Sequence, residues 1–409
     1  MKNQESSSTK LAILFPVLLA LYEICTYLSN DAYLPALPHI AHDLFTTNHL
    51  VQLTLTTWFM GSASMQLFLG PISDRIGRRP VLLFGGLVFI AVTIGCAVSQ
   101  NIYWLLILRF IQGATITSMI VAGYATIHEL FDRDKAIHTL SMMASITVLA
   151  PSFGPLFGAL ILQFGSWRVI FAILAGWACI VLLGLFFKMP ETNPHANEKI
   201  QFQTIVRQYK NIFCNKSFLI FLLTSRCLFA AMIAWIAAGP FLLIDRFHYG
   251  TIGFGIAQVF IFGSYIVFTR LVKYLMTKLS LKNITTVGIV MAILGALYAF
   301  IASLIFPDTP SNMIIAMIFI AGGSGLVFPI VERLGIESSN EPMGSKVAVS
   351  SLLMGLAGII GSALISGFYN NTLLSLATIL LLLCIIAVIL RVVIHGQFDQ
   401  TNILQSEGK

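Results

Sequence analysis

Gly70-Pro71-Ile72-Ser73-Asp74-Arg75-Ile76-Gly77-Arg78-Arg79-Pro80 breaks an otherwise oily chain with one acid, three arginines and two glycines. Apolar stretches long enough to cross a bilayer lie on both sides of it. Glycine permits a tight backbone reversal, and the cations hold that reversal on the cytoplasmic side of a membrane, with Asp74 as an ionic partner. The run predicts a short connection between two membrane spans.

The rest of the composition agrees. Hydrophobic residues make up 57% of the 409 positions and charged residues only 10%, so a water-soluble globule is excluded. The mean hydropathy is +0.88. Apolar windows of the length needed to span a bilayer fall near 11–35, 49–70, 81–99, 102–127, 138–163, 167–188, 217–241, 252–275, 284–306, 312–332, 346–369 and 372–394, which predicts twelve transmembrane helices. The amino-terminal stretch is too long for a signal-peptide core and carries Glu23 and Asp31, so it reads as a retained first span.

Basic residues crowd the even-numbered side of the connections, among them Arg75, Arg78, Arg79, Lys188, Lys216, Lys278 and Lys346, while the opposite side shows only Arg168 and Arg246. This bias predicts that both termini are cytoplasmic. It also accounts for the net charge of +7 through contact with anionic lipid, without nucleic acid. The six cysteines show no disulfide framework and no metal-ligand spacing. The longest connection divides the chain into 1–190, a linker 191–216 whose Ile200–Phe213 stretch suits a helix lying on the membrane surface, and 217–409.

Charge inside hydrocarbon costs about 2.5–3.5 kcal/mol per group on insertion scales, so intramembrane ionisable residues are functional candidates. Glu23 and Asp31 fall in the first predicted span, Arg109 in the fourth and Arg226 in the seventh. Eight positions separate the two acids, leaving them about 80° apart around a helix and able to border one pathway. In general, apolar surroundings favour a neutral carboxyl whereas a bound cation favours the carboxylate, so proton and cationic substrate compete. Arginine keeps its proton at ordinary pH, which makes Arg109 a fixed positive charge. Arg226 has two readings: a fork for carboxylate or phosphate on a substrate, or an ion pair with Glu23 or Asp31. Glu129 reads as solvated or loop-clamping, Arg270 as snorkelling to the interface, and the adjacent Glu332 and Arg333 as a boundary pair. Tyr27, Trp235 and Gln258 are candidates for an adaptable substrate wall.

Several of these stretches resemble one family. The opening run, as G-x-x-x-D-R-x-G-R-R, resembles the signature loop of the major facilitator superfamily between its second and third helices. Leu108-Arg109-Phe110-Ile111-Gln112-Gly113 resembles the family motif whose arginine is implicated in proton coupling. Ala150-Pro151-Ser152-Phe153-Gly154-Pro155-Leu156-Phe157-Gly158-Ala159 is similar to the antiporter-associated motif, with Ala150 and Ala159 replacing glycines of the fuller pattern. Leu21–Asp31 is similar to the first helix of the MdfA-like drug:proton antiporters, and Asp31–Pro38 resembles the Bcr/CflA branch.

The resemblance implies an all-α membrane protein of two six-helix bundles around a central cavity, and a proton-coupled antiporter exporting lipophilic or cationic drugs across a bacterial inner membrane. It implies proton coupling through Glu23, Asp31 and Arg109, and substrate binding through Glu23 and Asp31; the residue chemistry adds Tyr27, Arg226, Trp235 and Gln258 as substrate-binding candidates, Arg226 departing from the family pattern. Gating falls to Gly70, Asp74, Arg75, Gly77, Arg78 and Arg79 and to Gly154, Pro155 and Gly158. A monomer driven by the proton gradient, with no cofactor, completes the expectation. The alternative is a dedicated carrier of a carboxylate-bearing metabolite or siderophore using Arg226. No phosphate-binding glycine loop, metal cluster or nucleophile-and-base set argues for an enzyme.

Overall fold

A computed structural model describes residues 2–132, 135–136, 138–140, 142–143, 149–193 and 202–406, with side chains from 14 to 393 within those ranges, Phe202 excepted. Part of the fifth predicted span (141 and 144–148) and part of the predicted linker (194–201) lie outside the described residues. The chain divides into two compact units, Met1–Gln201 and Phe202–Lys409.

Unit 1 contains α1 (Lys2–Asp31), α2 (Leu37–Asp43), α3 (Asn48–Met65), α4 (Leu69–Ile76), α5 (Arg78–Ala97), α6 (Ile102–Ser118), α7 (Tyr124–Leu130), α8 (Leu149–Leu162) and α9 (Trp167–Lys188). Helix starts are set by local chemistry: Thr47 accepts the Leu50 N–H and Asn101 the Tyr103 N–H, relieving donors that the first turn would leave unbonded. Helix α1 packs on α8 and α9, α3 on α6, and α5 on α6 and α9. A π-helical segment, Met119–Gly123, joins α6 to α7 and changes the register of everything after it.

Unit 2 contains α10 (Phe202–Cys214), α11 (Lys216–Pro240), α12 (Gly250–Leu275), α13 (Leu281–Ile305), α14 (Pro310–Glu337), α15 (Met343–Phe368) and α16 (Leu373–Ser406). Asn215 caps α11 and Ser280 caps α13 through their side-chain oxygens. Helix α11 is buried along most of its length and packs on α14, α15 and α16. A second π-helical segment, Phe241–Arg246, follows it.

Among the described residues, nine helices are long and apolar enough to cross a membrane, and Leu149–Leu162 is a shorter apolar helix. The twelve-span expectation is therefore not reproduced as a count. Buried polar side chains mark two further helices, Glu23, Thr26, Ser29, Asn30 and Asp31 in α1 and Gln52, Thr54 and Thr56 in α3.

The opening run also differs from its reading. Residues 69–76 form a helix, so the reversal is confined to Gly77 at φ 113°, a conformation L side chains rarely adopt. A Cβ on Gly77 would also lie 2.6 Å from Glu191 Oε2, whereas one on Gly70 would meet nothing within 4 Å. The other close approach is in α8, where a Cβ on Gly158 would strike the carbonyl oxygen of Ala32 and one on Gly154 would lie 2.9 Å from the Asp31 Cβ. Gly154 and Gly158 thus seat α8 directly against the acid-bearing end of α1.

Gly158→Ala is expected to destabilise unit 1 by about 1–3 kcal/mol through overpacking, while Gly70→Ala, in an open helical position, is neutral or stabilising by about 0.5–1 kcal/mol. Thermal unfolding of the purified variants in detergent separates the two, and equal midpoints would contradict this packing.

Candidate functional site

The polar residues of unit 1 converge on the last third of α1. Glu23, 1% exposed, accepts a hydrogen bond on Oε1 from the Tyr124 hydroxyl at 2.6 Å. Tyr124 is the first residue after the π-helical segment, so that extra register shift is what presents it to α1. Tyr27 and Asp31 follow Glu23 at successive four-residue intervals, placing the three on one stripe of the helix. Tyr27 is half-buried and Asp31 is 5% exposed.

Arg109 lies fully buried beside this stripe. Its guanidinium donates to the Ser29 carbonyl at 2.9 Å, to Asn30 Oδ1 at 3.0 Å and to Gln112 Oε1 at 2.5 Å. The Tyr33 ring sits 4.4 Å from its central carbon and the Trp58 ring 6.0 Å, both favourable faces for a cation. Gln112 is held in turn through Thr93 Oγ1, to which its amide donates at 2.8 Å. Asn30 bridges the charges, since its amide donates to Asp31 Oδ1 at 3.3 Å while its oxygen accepts from Arg109. Arg109 therefore addresses Asp31 through an intervening amide.

A second assembly closes one end of unit 1. Arg78 reaches Asp74 Oδ1 at 2.5 Å and donates to Glu129 Oε1 through Nε at 3.2 Å and Nη2 at 3.0 Å. Glu129 is thus a clamp, and it also accepts from Thr192 Oγ1 at 2.5 Å. Glu191 lays its two oxygens on the backbone N–H groups of Arg78 and Arg79, at 3.0 and 3.1 Å, capping the start of α5 with a carboxylate. Arg79 donates to the Phe186 carbonyl at 2.6 Å. Arg75 is exposed.

In unit 2, Trp235 and Gln258 are both fully buried and hold each other, the indole N–H donating to Gln258 Oε1 at 2.9 Å. Arg226, 3% exposed, pairs with Glu332 through two parallel contacts of 2.8 and 3.2 Å and also donates to the hydroxyl of Ser350 at 2.7 Å. Two expectations are corrected here. The carboxylate partner of Arg226 is Glu332, in place of Glu23 or Asp31, and Glu332 does not pair with Arg333, whose Nε bonds Glu337 one turn on at 2.7 Å. Helix geometry forbids adjacent residues from facing each other, which is why Glu332 and Arg333 point to different partners. Arg270 is exposed near the end of α12.

Sequence reasoning missed Tyr124 as the partner of Glu23, because no residue pattern announces a π-helical segment. It missed Glu332 although a signal was present: an acid inside the end of a span needs a cation, and Arg226 was the intramembrane cation left with two open readings.

Spanning helices that bury charged and hydrogen-bonded side chains define a polytopic membrane protein. The chain belongs to the Major Facilitator Superfamily, whose family model matches residues 19–362. It is 31% identical over 345 residues to the multidrug resistance protein MdtM of Escherichia coli K12, covering 84% of this chain and 83% of that one. It is also 31% identical over 364 residues to the multidrug transporter MdfA of Escherichia coli O6:H1, covering 88% and 89%. Solved structures share the fold: a POT family transporter at TM-score 0.77 and 12% identity, covering 95% of this chain and 96% of that one, and a point mutant of the nucleoside transporter NupG at 0.71 and 16%, covering 95% and 100%.

Glu191→Ala is expected to remove about 1 kcal/mol from the start of α5, speeding amide exchange at Arg78 and Arg79 about fivefold; unchanged exchange would contradict the cap. Arg109→Lys keeps the charge but cannot span the Ser29, Asn30 and Gln112 acceptors at once, and is expected to lower stability by about 2–4 kcal/mol in thermal unfolding. A lysine variant as stable as the parent would show that the fork is not needed.

Proposed function

We propose that the protein is a proton-driven antiporter exporting lipophilic and cationic drugs across a bacterial inner membrane. The observation that carries this reading is Glu23, a carboxylate buried in a spanning unit, hydrogen-bonded by Tyr124 and aligned with Tyr27 and Asp31. A drug cation and a proton compete for the same negative charge, so binding one expels the other. Asp31 supplies a second acid on the stripe, and Arg109, relayed through Asn30, supplies a fixed positive charge beside it. Half-buried Tyr27 adds an aromatic face for cations. The multidrug names of the relatives MdtM and MdfA support the substrate class.

In the same reading the Arg78–Asp74–Glu129 clamp and the Gly154–Pro155–Gly158 contact with α1 are the parts that change between states. The protein works as a monomer, with both termini cytoplasmic and the proton gradient as its energy source. A carrier dedicated to anions is less well supported, because Arg226 already holds a carboxylate.

The test uses everted membrane vesicles with an imposed pH gradient, read by acridine orange quenching. Ethidium addition is expected to restore fluorescence with the parent protein and to fail with Glu23→Gln. Equal recovery in both would refute the exchange role of Glu23.

A further inference from the structure

Helix α10 stops at Asn215, whose extended backbone (φ −79°, ψ 102°) separates it by one residue from the spanning helix α11. The junction is fixed at that point: Asn215 caps the first turn of α11, and its amide donates to the Ser338 carbonyl at 2.9 Å. A helix attached one residue from the start of a span is held near the level where hydrocarbon meets headgroups.

One side of α10 is committed to unit 2. Ile212 is fully buried, Gln208 Oε1 accepts from the Ser345 hydroxyl on α15 at 2.8 Å, and Asn211 donates to Glu341 Oε1 at 2.8 Å. These contacts set the rotation of the helix about its axis. At about 100° per residue, Asn211, Gln208 and Ile212 occupy one side, while Phe213, Val206 and Lys210 occupy the other, with Arg207 bordering them.

That second side is free. Val206 is 47% and Phe213 38% exposed, and Lys210 and Arg207 are exposed beside them. Around the helix the order is apolar at Phe213 and Val206, cationic at Lys210 and Arg207, and polar at Asn211. The helix carries no acidic residue, and among the described residues neither cation has a carboxylate partner. The same order is met on passing from acyl chains through phosphate headgroups to water, so both the charge and the gradient of polarity fit a bilayer surface.

We propose that this face of α10 binds anionic lipid headgroups of the leaflet in which α11 begins, with Lys210 and Arg207 on the phosphate groups and Val206 and Phe213 against the acyl boundary. A guanidinium grips two phosphate oxygens and an ammonium adds a point charge, so anionic lipid holds the helix more firmly than zwitterionic lipid does. Lipid binding here is independent of the export reading, which rests on Glu23 in unit 1.

The test is amide hydrogen exchange of the full-length protein in nanodiscs of phosphatidylcholine alone and of an equal mixture with phosphatidylglycerol, with α11 as the internal reference for folding. In the parent, exchange across α10 is expected to be about tenfold slower in the anionic discs, and molar salt is expected to shrink that difference. Arg207→Gln/Lys210→Gln is expected to exchange alike in the two discs, and Val206→Ser/Phe213→Ser to exchange faster than the parent in both. Parent exchange that is the same in both lipids, or an anionic effect that survives loss of both cations, would overturn the proposal. Equal protection in detergent and in both discs would show protein covering this face instead, and would overturn it as well.

Discussion

Every charge placed inside a membrane span has to be matched by partners that stay with it, and the two units meet this demand differently. In unit 1 the Arg109 cation is surrounded by neutral acceptors, the Ser29 carbonyl, Asn30 and Gln112, and by the faces of Tyr33 and Trp58. No carboxylate is fixed directly to it among its described hydrogen bonds, so its field remains available to Asp31 across the Asn30 amide. In unit 2 the Arg226 cation is matched outright by Glu332. One arrangement leaves the cation among neutral acceptors, and the other closes it in an ion pair.

The backbone positions these groups by close approach and by one change of helical register. The α8 glycines bring that helix against the carbonyl of Ala32 and the Asp31 Cβ, so any shift of α8 is felt at the acid. The π-helical turn before Tyr124 aims its hydroxyl at Glu23. At the far end of α5, Gly77 and Glu191 fit together as a turn and its cap. The glycine is required both by its positive φ and by the carboxylate that fills the space where a side chain would stand.

Much of this was legible in the residues. The spacing of the apolar windows, the basic bias and the Gly77-Arg78-Arg79 cluster fix a membrane-spanning helical fold, because each follows from composition over many positions. Glu23, Asp31, Arg109 and Arg226 were visible as charges in oil. Their partners were less visible, since pairing Arg226 with Glu332 or Glu23 with Tyr124 joins residues more than a hundred positions apart. Gly70 was overread: it shares a motif with Gly77 but sits in an open helix where no turn is made. Trp235 and Gln258 were read as separate wall residues, and the structure shows them as one hydrogen-bonded pair.

The central claim is that a buried carboxylate gives up a proton when cargo arrives. The most direct measurement is the pH change of a weakly buffered solution of purified protein on adding tetraphenylphosphonium. The account predicts saturable acidification that follows binding of the cation. Binding of tetraphenylphosphonium with no proton released would contradict it.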